Sequence, residues 1–250
     1  MNPRDAKKRN IRDLSYLSLR DGKRLKKGRF FRSASLRKFS RKGIKELQEA
    51  SLSTVIDLRT VGEVSKKPDE LWDGVDYKEI PIVEAATLGI THEKGLKAYK
   101  KPPVMTELYA DIVTNPKSIA ALRQVMDEIF VSRDGSILWH CTEGKDRCGL
   151  VSALFLLALG CNEEDVFLDY EKSNARSEKK GRLYRFLLRI FFFGEELAQG
   201  VYRAMLAHRD YLRAALDAIN AKFGSLDSFL QNELGLTKVR IDAFLNENAE

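Results

Sequence analysis

Residues 136–149 read Ser136-Ile-Leu-Trp-His140-Cys141-Thr142-Glu143-Gly144-Lys145-Asp146-Arg147-Cys148-Gly149. The first five, with apolar Ile137, Leu138 and Trp139 at their centre, follow the Asp134-Gly135 turn and read as a buried strand. From Cys148 the chain is apolar again as far as Leu159 and stops at Gly160, which reads as a buried helix. Phosphate chemistry uses this order of strand, loop and helix. Successive loop N–H groups can converge on an anion, and the positive end of the helix dipole adds to the field. Gly144 permits a close approach that a side chain would block. Arg147 offers a planar fork for two phosphate oxygens. In that field the Cys141 thiol is expected to ionise well below its free value of ~8.5. The thiolate could then attack phosphorus and form a phosphocysteine.

The rest of the chain agrees with a globular enzyme. It has 250 residues, 44% apolar and 32% charged, enough for a sizeable core in one domain spanning 1–250. The densest apolar run, Gly149 to Gly160, is too short to span a bilayer, so no transmembrane segment is expected. MNPRDAKKRN carries no apolar stretch after its basic residues, which argues against a cleaved secretory signal. Three cysteines within 21 positions are no disulfide framework and favour a reducing cytoplasm, with export by a non-standard route left open. The charge is uneven. Residues 1–50 hold 17 Lys+Arg against 5 Asp+Glu, whereas the remainder is net acidic. No nucleic-acid motif or stacking platform accompanies this basic fifth, so nucleic acid is not expected. A solvated face is the plain reading, and an anionic substrate the next.

Met1 to Arg9 reads as a loose basic tail. Helices are expected over Arg41–Ala50 (capped by Ser40), Met105–Val113, Ser118–Val131 and from Asn162 to Tyr170, and strands over Thr54–Leu58 and Tyr77–Ile82. Val201–Ala221 reads as one helix, with two more after it capped near Ser225 and starting near Lys238. Strands come early and helices late around a strand–loop–helix unit, which gives an α/β fold.

The segment His140 to Gly149 resembles the signature loop of the cysteine-dependent protein tyrosine phosphatases. Its Gly144-Lys-Asp-Arg147 core is similar to a bacterial branch that includes mycobacterial and listerial enzymes. Further blocks carry the resemblance: Asn10-Ile-Arg-Asp-Leu14, Asp21-Gly22 and Gly28 to Ser33, Val55-Ile-Asp-Leu-Arg59 with Glu63-Val64, Asp169-Tyr170 with Ser173-Asn174, and Tyr211-Leu212, Phe223-Gly-Ser225 and Leu230 through Leu236. The resemblance implies a partly parallel sheet flanked by helices, with the phosphate-binding loop between strand and helix. It implies phosphomonoester hydrolysis without metal or cofactor, on phosphorylated protein, with phosphoserine, phosphothreonine and phosphoinositides as further substrates.

The same resemblance sets the expected roles. Cys141 is the nucleophile and Arg147 the phosphate ligand. The general acid maps onto Asp146, with Asp111 as the second candidate and a plain surface position in a helix as its alternative. Thr142, Glu143, Gly144, Lys145 and Cys148 are expected around the substrate, and His140 shapes the loop. Asp57 and Arg59 are expected either to line the site or to form an ion pair tying two strand ends. Residues 176–199 match no family block and lie where related enzymes carry a helical lid, although Phe191 to Phe193 read equally as core. Two positions depart from the pattern: Cys148 stands where a Thr or Ser hydroxyl is usual, and Glu143 places a negative charge beside an anion site. Readings of another class are a phosphate-binding module without turnover and a thiol redox enzyme of arsenate-reductase type. The first is opposed by the intact Cys141 and Arg147, the second by the 140 residues that precede the loop.

Overall fold

Alternate residues of the strand Ser136–Cys141 supply opposite faces of a sheet: Ile137 and Trp139 enter one apolar cluster and Leu138 another. The computed structural model describes residues 3–83, 104–131, 133–191 and 194–250. In it the strands are β1 (Arg12–Asp13), β2 (Phe30–Ala34), β3 (Leu52–Asp57), β4 (Asp76–Glu79) and β5 (Ser136–Cys141). They form a five-stranded sheet in the order β1-β2-β5-β3-β4. β2, β5, β3 and β4 run parallel and β1 is antiparallel at the edge, so the sheet is partly parallel as expected. At the end of β5, Cys141 pairs with Ala34 ending β2 and His140 with Asp57 ending β3. The site therefore lies outside the carboxyl ends of the parallel strands, where open α/β sheets bind their ligands.

The helices are α1 (Pro3–Arg9), α2 (Arg41–Glu49), α3 (Val61–Lys66), α4 (Met105–Thr114), α5 (Pro116–Ile129), α6 (Asp146–Ala158), α7 (Glu163–Glu171), α8 (Asn174–Phe191), α9 (Gly194–Met205), α10 (Arg209–Phe223), α11 (Leu226–Ser228) and α12 (Lys238–Asn248). α6 lies between the sheet and the outer helices. Every residue from Arg147 to Leu156 is buried, which explains why its sequence is apolar all round rather than striped. Trp139 seats its indole N–H on Ser152 of α6 at 2.9 Å and meets Phe155 edge-on, and Phe30, Phe130 and Phe244 pack around Phe155. Burial of each such side chain stabilises by roughly 1.5–3 kcal/mol. The smaller cluster, on the other face, joins Ile11, Phe31, Leu47, Val55 and Leu138.

Two expectations need correction. The segment read as a loose tail forms α1, with Asp5 in its first turn and Lys7, Lys8 and Arg9 in its last, an order that suits the helix dipole. Asp5 is buried and accepts a hydrogen bond from Ser40. The single helix expected over Val201–Ala221 breaks at Leu206–His208. There the Asn174 side chain accepts from the Ala207 N–H at 2.6 Å and donates to its carbonyl at 2.8 Å, and His208 caps α10. Phe192 and Phe193 lie outside the described residues.

Candidate active site

β5 ends at Cys141 and α6 begins at Asp146, so residues 142–145 turn the chain from sheet to helix. Gly144 makes that turn at φ +66°, and a Cβ there would lie 2.5 Å from the backbone of Ser33 and Ala34. The loop is held from below by a buried charge network. Arg32 of β2 donates to the Gly144 carbonyl at 3.1 Å and to Asp169 at 2.8 Å, and Asn10 donates to the same carbonyl at 2.8 Å. Asp169 also receives Arg12 at 2.7 Å. Burial opposes its charge, but the two guanidinium groups hold its carboxyl well below the usual carboxylate range.

Cys141 is 2% exposed. Burial pushes its thiol up, but the hydrogen bond from the Cys148 thiol, the charge of Arg147 and a backbone N–H outweigh this and bring it to about 5. Cys148 also places its sulfur 3.4 and 3.8 Å from the Ser33 and Trp139 carbonyls. Its own thiol is pushed up by burial and by the neighbouring thiolate.

Arg147 is clamped in a way the sequence did not announce. Its two terminal nitrogens donate to the two carboxylate oxygens of Glu63, at 2.5 and 2.8 Å, in a fork-to-fork pair. Glu63 also receives the Thr142 hydroxyl at 2.5 Å and the Thr60 backbone N–H at 3.0 Å. Burial would raise its carboxyl, but Arg147 and Thr142 bring it down to about 2. Glu63 forms with Thr60 a capping box that caps α3. Its second use, at the loop, depends on α3 lying beside β5.

A cavity of about 390 Å³ opens over the loop. It is lined by Glu143, Lys145, Asp146 and Arg147 below, by Lys7 and Lys8 of α1, by Met105 and Leu108 of α4, and by residues of α8 and α9 above. Asp146 faces it with Oδ1 accepting from the Tyr109 hydroxyl at 2.8 Å, and Tyr109 in turn meets the Tyr170 hydroxyl at 2.6 Å. Asp111 sits in α4 and does not line the cavity.

Several expected substrate contacts have other occupations. Lys145 is buried, donates to the Ala204 and Leu206 carbonyls at 2.7 and 3.1 Å, and lies 3.3 Å from Asp146. The Glu143 charge is met by Arg176 of α8 at 2.7 Å, so it does not stand bare beside the anion site. Thr142 directs its hydroxyl to Glu63. Asp57 and Arg59 lie apart from the cavity lining and form an ion pair with each other at the end of β3. The Arg59 guanidinium joins Asp57 and Asp69 at 2.5 and 2.6 Å, with all three side chains buried. His140 is buried behind the loop and faces the same carboxylates, with Nε2 3.2 Å from Asp69 and Nδ1 3.8 Å from Asp57, and neither ring nitrogen has a hydrogen-bond partner among the described residues. Asp57, Asp69 and His140 are the one grouping of metal-ligand type among the described residues. Arg59 bonds both carboxylates and places one positive charge between them. The residues that sequence reasoning missed are Glu63, Arg32, Tyr109 and Arg176, all polar groups whose partners are distant in sequence.

The chain is similar over 90% of its length to a protein of Cupriavidus necator named as a tyrosine-protein phosphatase, at 30% identity and covering 81% of that relative. It is similar at 26% identity to the triple specificity protein phosphatase PtpB of Mycobacterium tuberculosis, over 87% of this chain and 90% of that one. Among solved structures, TpbA of Pseudomonas aeruginosa matches with a TM-score of 0.36 and 15% identity, over 75% of this chain and 87% of that one. The sequence pattern of the tyrosine phosphatase family matches residues 6–248, nearly the entire chain. The protein belongs to the tyrosine phosphatase family and is an enzyme of the protein-tyrosine-phosphatase type.

Proposed function

We propose that the enzyme hydrolyses phosphomonoesters in two steps through a phosphocysteine at Cys141. The observation that carries this reading is the thiol brought to about 5 by Cys148 and Arg147 at the end of the central strand. In the first step the thiolate sulfur bonds to phosphorus and the bond to the leaving oxygen breaks. The Asp146 carboxyl gives its proton to that oxygen. In the second step water attacks phosphorus, the sulfur–phosphorus bond breaks, Asp146 takes the proton of water, and the thiolate is restored. Arg147, positioned by Glu63, holds two phosphoryl oxygens throughout.

Phosphotyrosine in protein is the first substrate, with phosphoserine, phosphothreonine and phosphoinositides next. The breadth is supported by the triple specificity named for the mycobacterial relative and by the basic residues Lys7, Lys8, Arg176 and Lys179 at the cavity. Helices α8 and α9 act as a lid, since both contribute cavity lining above the loop. Three free, buried cysteines suit a reducing cytoplasm. A kinetic panel of phosphotyrosine, phosphoserine and phosphothreonine peptides and phosphoinositides, with Cys141→Ser as the blank, tests this. Hydrolysis of phosphotyrosine peptide with a trapped phosphoenzyme is expected, and turnover by Cys141→Ser would overturn the mechanism.

A further inference from the structure

Helix α8 is apolar on two opposite sides. One side packs on α9, where Leu188 joins Leu197, Ala198 and Val201, and Gly181 lies against Tyr202. The other side presents Leu183, Phe186 and Ile190 to solvent, exposed by 54%, 57% and 55%. Their spacing of three and four makes one stripe along the outer face. The stripe begins one turn after Lys179, which lines the cavity, so it runs outward from the site.

The charge of the helix says what such a stripe faces. Asn174–Phe191 carries six Lys/Arg and one Glu. Arg182 and Arg189 flank the stripe on the exposed surface. Arg182 pairs with Glu178, and Arg185 and Arg189 with Glu195 at 3.0 and 3.3 Å. Exposed pairs of this kind are weak and yield readily to phosphate. A second copy of the same face would set like charges against each other. The stripe is also the convex outside of a helix rather than a groove for a peptide. No helix among the described residues is long and apolar enough to cross a membrane.

An exposed apolar stripe bordered by arginines is the pattern of a helix lying in a lipid–water interface. We infer that the outer face of α8 docks the enzyme on an anionic bilayer, with Leu183, Phe186 and Ile190 among the acyl chains and the arginines at the headgroups. The cavity would then open close to the lipid surface. The inference concerns where the enzyme sits and stands whichever phosphomonoester it hydrolyses.

Vesicle flotation tests it, using phosphatidylcholine with and without phosphatidylserine. The wild-type enzyme is expected to float with the phosphatidylserine vesicles and to release as salt rises. The triple variant Leu183→Ser, Phe186→Ser, Ile190→Ser should lose roughly tenfold or more in binding. It should keep its circular dichroism and its turnover of a soluble aryl phosphate. Phe186→Trp should shift its emission to the blue on phosphatidylserine vesicles and be quenched by brominated lipid. Unaltered Phe186→Trp emission, or vesicle binding by the triple variant equal to wild type, would overturn the inference. So would a dimer in light scattering that the triple variant abolishes, in the absence of vesicle binding.

Discussion

Arg147 and Glu63 meet fork to fork, 84 positions apart in sequence, with both guanidinium ends bonded at 2.5 and 2.8 Å. The pair fixes the plane in which Arg147 can receive a phosphate. Glu63→Gln keeps the size of the side chain and removes the charge, leaving Arg147 free to rotate. A misplacement of about 1 Å at such a site costs on the order of 10²-fold. Turnover of an aryl phosphate by Glu63→Gln should fall by about that factor, mainly in kcat, while Cys141 still reacts with iodoacetate. Activity within twofold of wild type would show that the clamp does not position Arg147.

Cys141→Ser should abolish turnover and keep phosphate or vanadate binding, because Arg147 and the loop N–H groups remain. Arg147→Lys should lose both, since a point charge cannot reproduce the two-pronged contact. Calorimetric titration with vanadate separates the two variants.

The pH profile should carry the mark of Cys148. With the Cys141 thiol at about 5, the thiolate persists above that pH and kcat/KM for an aryl phosphate falls below it as the sulfur takes up a proton. Cys148→Ala removes the donor that favours the thiolate, so the acid limb should move to higher pH. Cys148→Ser adds no volume and supplies a stronger donor. It should move the limb to lower pH and speed release of the sulfur from the phosphoenzyme. Profiles that superimpose for all three proteins would remove Cys148 from this role.

Asp146→Asn should slow hydrolysis of substrates with poor leaving groups by roughly 10²–10⁴-fold and affect an activated aryl phosphate much less. Asp111→Asn should behave as wild type on both. A selective loss for Asp111→Asn instead would transfer the proton to α4.

Asp169 compensates two buried guanidinium groups, Arg12 and Arg32. Asp169→Asn should cost about 3–5 kcal/mol in urea unfolding by leaving Arg32 buried without its counter-charge. The folded carboxyl lies below its unfolded value of ~3.9. The stability it adds is therefore whole above that pH and lost as pH falls through the lower folded value. In the variant, the acid-side decline in melting temperature should be shallower.

Much of this was legible because it is local. The β-prone run before Cys141, the apolar run after it and the caps at Ser40, Asn162 and Ser225 each sit within a few residues of what they determine. Position 148 was legible too, since its sulfur lies one helical turn from the loop it supports. Glu63 and Arg32 were not. Each is a charged residue in an ordinary local pattern, a capping box and a short strand, and acquires its role only when the sheet order brings β2 and β3 to either side of β5. The contacts of Lys145 were not legible for the same reason, because its partners are the carbonyls of Ala204 and Leu206. The bend at Ala207 likewise depends on Asn174, a side chain 33 positions away that no helical periodicity registers.

The contact between Gly144 and the backbone of Ser33 and Ala34 makes mutational tolerance unequal on its two sides. Strand β2 meets the loop there through main-chain atoms, which any amino acid carries, so positions 33 and 34 can drift as far as their own packing allows without touching the loop. Position 144 has no such latitude. Alanine is already too large by the space of one methyl group, and every heavier residue adds to the same collision. Divergent copies of this chain should therefore vary at Ser33 and Ala34 long before they vary at Gly144.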